Sequence, residues 1–149
     1  GPAGLSAALV AAQRGHHVTL FDQAKEIGGQ LNMAKQIPGK EEFIGLVDYY
    51  KRQLELKQVK LVLGKPVDAD TLSDQGYDEV IIATGVLPRD PQIPGQTHPK
   101  VLNYIDVLRD RKPVGKKVAV IGAGGIGFDV CEFLAHGDAS PNGASATRH

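Results

Sequence analysis

Apolar and polar residues follow two different periods along this chain. Leu5 to Arg14 (LSAALVAAQR) is dominated by alanine and leucine and is followed by Gly15, which predicts a helix with a glycine stop. His17 to Phe21 (HVTLF) is a β-branched, apolar run of strand length that ends at Asp22. Between Glu41 and Leu56, apolar Phe43, Leu46, Val47, Tyr50 and Leu54 recur at helical spacing, so an amphipathic helix with a charged outer face is expected. Val59 to Leu63 (VKLVL) predicts a short strand. Tyr77 to Thr84 (YDEVIIAT) predicts a fully buried one, because its apolar residues run together and a glycine follows. Pro88 to Pro99 reads as a connector, Asn103 to Arg111 as a short helix, Val118 to Ile121 (VAVI) as a buried strand and Gly125 to Ala135 as its helix. The order α-β-α-β-β-α-β-α is most economically met by a parallel sheet. Gly137 to His149 (GDASPNGASATRH) has no apolar periodicity and reads as a loop or an artificial end.

Composition narrows the partners. The chain has 149 residues, 42% of them hydrophobic, enough for the core of one ordinary domain. Seventeen basic residues balance seventeen acidic ones, so no net field favours nucleic acid or an anionic membrane surface. Apolar stretches such as Val80 to Ala83 and Val118 to Ala123 fall far short of the roughly 20 residues of a membrane-spanning helix. Cys131, the single cysteine, offers no disulfide pair, no CxxC couple and no metal cluster; it is expected in the core of a protein from a reducing, cytoplasmic compartment. His16, His17, His98, His136 and His149 show no metal spacing and no partnered nucleophile, and read as surface or loop residues. No catalytic and no metal-binding residue is therefore assigned. The chain opens on Gly1-Pro2-Ala3-Gly4, a loop-to-helix turn with no initiator methionine or signal peptide before it, and its N-terminus is read as cut.

Two glycine-rich turns carry the chemistry. Strand Val118 to Ile121 runs into Gly122-Ala123-Gly124-Gly125-Ile126-Gly127, where a helix begins. Strand, GxGxxG and helix in that order form a dinucleotide-binding fingerprint. Gly122 permits the tight turn, Gly124 lets backbone approach a pyrophosphate, Gly127 lets helix and strand pack closely, and the helix start supplies amide donors, with Gly125 and Ile126 at its head. The first turn matches the latter part of the same unit: Gly1, Pro2, Ala3 and Gly4, an Ala-rich helix, a strand and then Asp22. Its leading strand and first glycine are expected before residue 1. Asp22, about 20 residues on, is placed to accept hydrogen bonds from ribose hydroxyls, although an aspartate ending a strand is also an ordinary turn residue.

Two further turns suit a flavin. In Glu26-Ile27-Gly28-Gly29-Gln30, paired glycines let backbone approach a cofactor and the Gln30 amide can donate or accept. Ala83, Thr84 and Gly85 end a strand on small residues, as a close pass by an isoalloxazine or pyrophosphate requires. The expected fold is therefore α/β. Residues 1–112 form a partial Rossmann-type FAD-binding domain with its first strand missing, and residues 113–149 begin a second Rossmann-type domain for NAD(P)H.

Three strings together, GPAGLSAALVAAQRGHHVTLFDQAKEIGGQLNMAKQIPGKEEF, VIIATGVLPRDPQIPG and HPKVLNYIDVLRDRKPVGKKVAVIGAGGIGFDV, resemble the C-terminal half of the bacterial NADPH-dependent 2,4-dienoyl-CoA reductases. The general flavoprotein motifs are shared with trimethylamine dehydrogenases and enoate reductases, whereas AKQIPGKEEF and NYIDVLRDRKPVGKKVAVIGAGGIGFDV are narrower and favour the dienoyl-CoA enzymes. The resemblance implies an N-terminal TIM-barrel domain with FMN, an iron-sulfur cluster, and then this FAD and NADPH unit, serving the β-oxidation of unsaturated fatty acids. Hydride would pass from NADPH to FAD, and electrons through the cluster to FMN and the conjugated double bonds of an acyl-CoA substrate. This chain would be the electron-input end, a fragment whose own partners are small-molecule cofactors. By the matching strings, the resemblance places Ala3 in the pyrophosphate turn, Asp22 and Gln23 at the adenosine ribose, Gln30 in the GGQ turn with Gly29, Lys40 at the cofactor, and the Val67 backbone at adenine. A lysine at a helix start is also an ordinary solvated residue, and Lys116 and Lys117 read as solvated.

The chain departs from that family where the nicotinamide unit should continue. Its second strand, which should carry the charge that separates NADP from NAD, has no readable counterpart, and Arg148 does not end a strand. NADPH over NADH thus follows from the resemblance alone. An enoate reductase, a trimethylamine dehydrogenase type of enzyme, and a nucleotide-binding electron-transfer module that holds ADP or FAD without turnover stay open as alternatives.

Overall fold

In a computed structural model of the protein, residues 1–136 are described. Residues 137–149 lie outside them, and with them the expectations for the tail, Arg148 and His149.

Helix α1 spans Pro2–Gln13, with proline in its first turn, where the missing N–H costs nothing, and Gly1 as its cap. Leu5, Ala8 and Leu9 form its buried stripe. The helix stops at Arg14, and Gly15 turns the chain with a φ of 93°. Strand β1 (Thr19–Asp22) follows, then α2 (Leu31–Ala34), α3 (Glu42–Leu56) and strand β2 (Lys60–Leu63). The two strands pair in parallel, from Thr19 opposite Lys60 to Asp22 opposite Leu63. The long return through α3 is what parallel pairing demands, since two adjacent parallel strands cannot be joined by a hairpin. Leu54, fully buried, and Val47 of α3 close over Leu5, Ala8, Leu9, Ile27, Leu31 and Val59.

Helix α4 (Ala69–Asp74), not anticipated from the sequence, is capped by Asp68, whose Oδ1 accepts from the Thr71 N–H at 2.9 Å. Helix α5 (Tyr104–Leu108) carries a capping box, with Asn103 accepting from the Ile105 and Asp106 N–H groups and Asp106 accepting from the Asn103 N–H. It is shorter than the expected 103–111, because Arg111 turns left-handed at a φ of 52° and Pro113 disfavours helix just before it. Helix α6 (Gly125–His136) lies against α5 through Val107, Leu108, Val130 and Phe133.

Three expectations need correction. Tyr77–Thr84 and Val118–Ile121 carry no regular secondary structure, and neither joins a ladder among the described residues. Nor are they buried: Ile81 and Ile82 are 69% and 75% exposed, and Ile121 is 82% exposed. Both segments have strand-forming composition, but composition alone does not supply a ladder partner, and neither has one among the described residues. Cys131 is exposed rather than in the core. One residue along α6 from buried Val130, it points about 100° away from the face that carries Val130 and Phe133.

Packing divides the chain into two units, Gly1–Asn32 with Glu42–Pro88, and Met33–Glu41 with Arg89 onwards. The boundary expected at residues 112 and 113 falls inside the second unit, between α5 and α6. Among the described residues, no helix is long and apolar enough to cross a membrane.

Candidate nucleotide-binding site

In the first unit, the head of α1, the end of β1 and the turns at 28–30 and 83–86 converge. Gly29 has a φ of 56°, and a Cβ built on it would lie 2.6 Å from the Gly1 Cα, so two backbones meet where only glycine fits. A Cβ on Gly4 would sit 3.5 Å from that of Ala83, which brings the 83–85 segment onto the first turn of α1. The Gln30 amide donates to the Val86 carbonyl at 3.4 Å, a long bond that ties the GGQ turn to the same segment. Asp22 closes β1 with Oδ2 3.7 Å from the Gly1 nitrogen, while Oδ1 accepts from the Ala24 N–H at 3.0 Å. Gly1, Gly4, Asp22, Gly29, Gln30 and Ala83 are thereby neighbours, with Pro2, Ala3 and Gln23 exposed beside them in the chain. Thr84 and Gly85 continue on the exposed side, and Val67 is half-buried in the connection between β2 and α4.

In the second unit, Gly122 adopts a φ of 118°, and a Cβ on Gly127 would stand 2.1 Å from the Gly122 carbonyl oxygen. That is far inside any tolerable contact, so close packing of the helix start on its turn depends on Gly127. Gly124 and Gly125, in contrast, have nothing within 4 Å of where a Cβ would be, and Ile126 is 52% exposed. The open side of the turn is thus available to a phosphate approaching the N-terminus of a twelve-residue helix. Beside it lies a cavity of about 170 Å³ lined by Val120, Gly122, Ala123, Gly127, Phe128 and Cys131. It is too small for a dinucleotide, since ligand pockets usually hold about 300–1,000 Å³.

Lys40 belongs to the second unit, and its ammonium lies 2.7 Å from both carboxylate oxygens of Asp129. The cofactor role implied for it stands against a charge already engaged. Asp129 and Arg111 drew no attention in the sequence, since a pairing across 89 residues leaves no local signal. Asn32 was also missed: its side-chain amide donates to the Ile27 carbonyl at 2.9 Å and occupies the space next to Gly28. An Asn shortly after a glycine pair is the usual signal of a side chain closing a turn. The resolved charge shifts lie outside both turns. The Asp106 carboxyl is held below the usual carboxylate range by the hydrogen bond from Lys112 and then by the Asn103 N–H. Among the described residues, no group of three or more His, Cys, Asp or Glu could hold a metal ion.

The chain is similar to several known proteins. The chain is 35% identical over 139 residues to the N,N-dimethylglycine/sarcosine dehydrogenase of Chromohalobacter salexigens, covering 89% of this chain and 19% of that protein. It is 37% identical over 139 residues to the cinnamate reductase of Clostridium sporogenes, covering 90% of this chain and 20% of the relative. A 2-naphthoyl-CoA reductase solved with 2-naphthoyl-CoA superposes with a TM-score of 0.87 at 33% identity, covering 91% of this chain and 20% of that one. The chain therefore spans about a fifth of the length of these relatives. The fold is a Rossmann-type, FAD- and NAD-binding α/β fold, and since the family model for pyridine nucleotide-disulphide oxidoreductases matches residues 1–140, the chain belongs to that family of flavin oxidoreductases.

Proposed function

We propose that this chain is the electron-input part of a larger cytoplasmic enzyme, one that takes hydride from NADPH and delivers electrons to a conjugated carbon–carbon double bond in an acyl-CoA thioester of the 2,4-dienoyl type. The observation that carries the nucleotide part is the Gly122–Gly127 turn, closed to any side chain at Gly127 and open at Gly124.

In this reading FAD lies over the converging turns of the first unit. The residues there fit it: Gly1 and Gly29 leave no side chain between their backbones, Asp22 offers its carboxylate to ribose hydroxyls, and the Gln30 amide lies over the 83–86 segment. Pro2, Ala3 and Gly4 present the helix start to the pyrophosphate, Gln23 flanks the ribose, and Ala83, Thr84 and Gly85 pass close to the ring system. Bound FAD supplies the ability to accept a hydride and pass its electrons on. The second glycine turn holds NADPH by Gly122, Gly124, Gly125, Ile126 and Gly127, its helix start facing the pyrophosphate. FMN and an iron-sulfur cluster belong, in the same reading, to the remainder of the full-length protein.

The thioester class is supported by the narrow strings around Lys40 and Asn103 and by the likeness to a 2-naphthoyl-CoA reductase. The cinnamate reductase favours a second reading, reduction of a free enoate. Full-length protein assayed for NADPH consumption with a 2,4-dienoyl-CoA, with cinnamate and with a methylated amine decides between them. Turnover of the dienoyl thioester is expected; turnover of cinnamate or the amine alone would reassign the enzyme.

A further inference from the structure

Residues 33–41 form a strap of little regular structure in the second unit. Ile37, only 3% exposed, is buried with Val107, Leu108, Val130 and Phe133. The strap is tied on both sides of that anchor. Lys40 forms its two 2.7 Å bonds to Asp129, on the first turns of α6. Arg111 donates to the side-chain oxygen of Gln36, and its guanidinium carbon lies 4.9 Å from the centre of the Phe133 ring, about one turn further along the same helix. Arg111 does so from a left-handed backbone, a conformation that persists in a long-chain residue only where the surroundings fix it.

We propose that Lys40 and Arg111 are positioning residues for NADPH: they pin the 33–41 strap to successive turns of α6 and so fix how the glycine turn at the head of that helix meets the pyrophosphate. The inference rests on the proposed reading of that turn. It has an electrostatic side as well. Asp129 lies two residues beyond Gly127, and its carboxylate, left alone, would repel an anionic ligand at the helix start. The Lys40 ammonium neutralises it.

The test uses full-length holoenzyme, with stopped-flow flavin reduction measured against NADPH concentration, FAD content, and two ionic strengths. Lys40→Gln should raise the NADPH dissociation constant by about fivefold, the upper range for a half-exposed ion pair. The rise should be larger at low salt, with FAD content unchanged. Adding Asp129→Asn should restore the electrostatic part of that loss, which removal of the tie alone would not do, and leave the part due to the untied strap. Arg111→Gly, which keeps the left-handed turn accessible and removes only the side chain, should also raise the constant. Loss of FAD from Lys40→Gln, a double variant no better than the single one, or Arg111→Gly with unchanged NADPH binding would each overturn the proposal. Gly124→Ala separates the two levels. If it weakens NADPH binding while the strap variants do not, only this inference falls; if it too has no effect, the reading of the turn falls with it.

Discussion

Gly124 and Gly127 stand three residues apart in one motif, yet the structure asks different things of them. A methyl group on Gly127 would lie 2.1 Å from the Gly122 carbonyl oxygen, so turn and helix must separate by about 1 Å to reach a bearable contact. Overpacking of that kind costs about 1–3 kcal/mol. Gly127→Ala should therefore lower the thermal midpoint of the full-length protein and disturb nucleotide binding with it. A methyl group on Gly124 meets no protein atom within 4 Å, and its backbone is not left-handed. Gly124→Ala should leave stability within about 0.5 kcal/mol of the parent. Its methyl would instead hold the pyrophosphate off the backbone, forfeiting one charge-assisted hydrogen bond worth about 1.5–3 kcal/mol, on the order of a ten- to hundredfold rise in the NADPH dissociation constant. Differential scanning calorimetry paired with stopped-flow flavin reduction measures both quantities. A Gly124→Ala enzyme that is reduced with unchanged NADPH dependence, or a Gly127→Ala enzyme that melts with the parent, would refute the reasoning.

Asp22→Ala should weaken FAD retention by about 1.5–3 kcal/mol through loss of charge-assisted hydrogen bonds to ribose. Asp22→Asn keeps an acceptor for the Ala24 N–H and separates the turn from the charge; flavin content of purified full-length protein reads both, and full flavin in both variants leaves Asp22 a turn residue. Asp106, whose carboxyl is depressed by Lys112 and the Asn103 N–H, contributes stability that is present above the ordinary carboxylate range and lost as pH falls through its lowered value. The gap in urea midpoint between wild type and Asp106→Asn should accordingly close in acid, and a gap that does not change with pH would show that the cap draws nothing from the charge.

The elements that were legible in the sequence are those whose signal is local. The alanine- and leucine-rich run before Gly15, the helical recurrence of Val47 and Leu54, and the β-branched runs before Asp22 and Gly64 each carry their signal within one segment. The GxGxxG spacing was equally informative, because it encodes a contact six residues wide. VIIAT and VAVI show where that kind of reading stops. Apolar composition states that a segment favours a strand; whether a neighbour is present to pair with it is a non-local matter, and here none is among the described residues. Helix α4 depends on one capping contact from Asp68, too brief for periodicity to register. The strap contacts are further out of reach, since nothing near Lys40 announces a partner at Asp129.

The glycines of the two turns divide by cause, and the division points to the ligand. Gly29 and Gly127 are required by the protein itself, because a side chain would strike the Gly1 backbone or the Gly122 carbonyl oxygen. Gly85 and Gly122 are required by φ values of 81° and 118°, although space is open around them. Neither reason covers Gly124 or Gly125: each has room for a methyl group and a backbone that would accept one. A glycine in a helix-leading turn carries an entropic cost relative to alanine, so a position where the folded chain draws no benefit from it needs another occupant to explain it. At the head of α6, where the first N–H groups of a helix have no intrahelical partner, the chemistry that would use such a position is an anion brought up to the backbone.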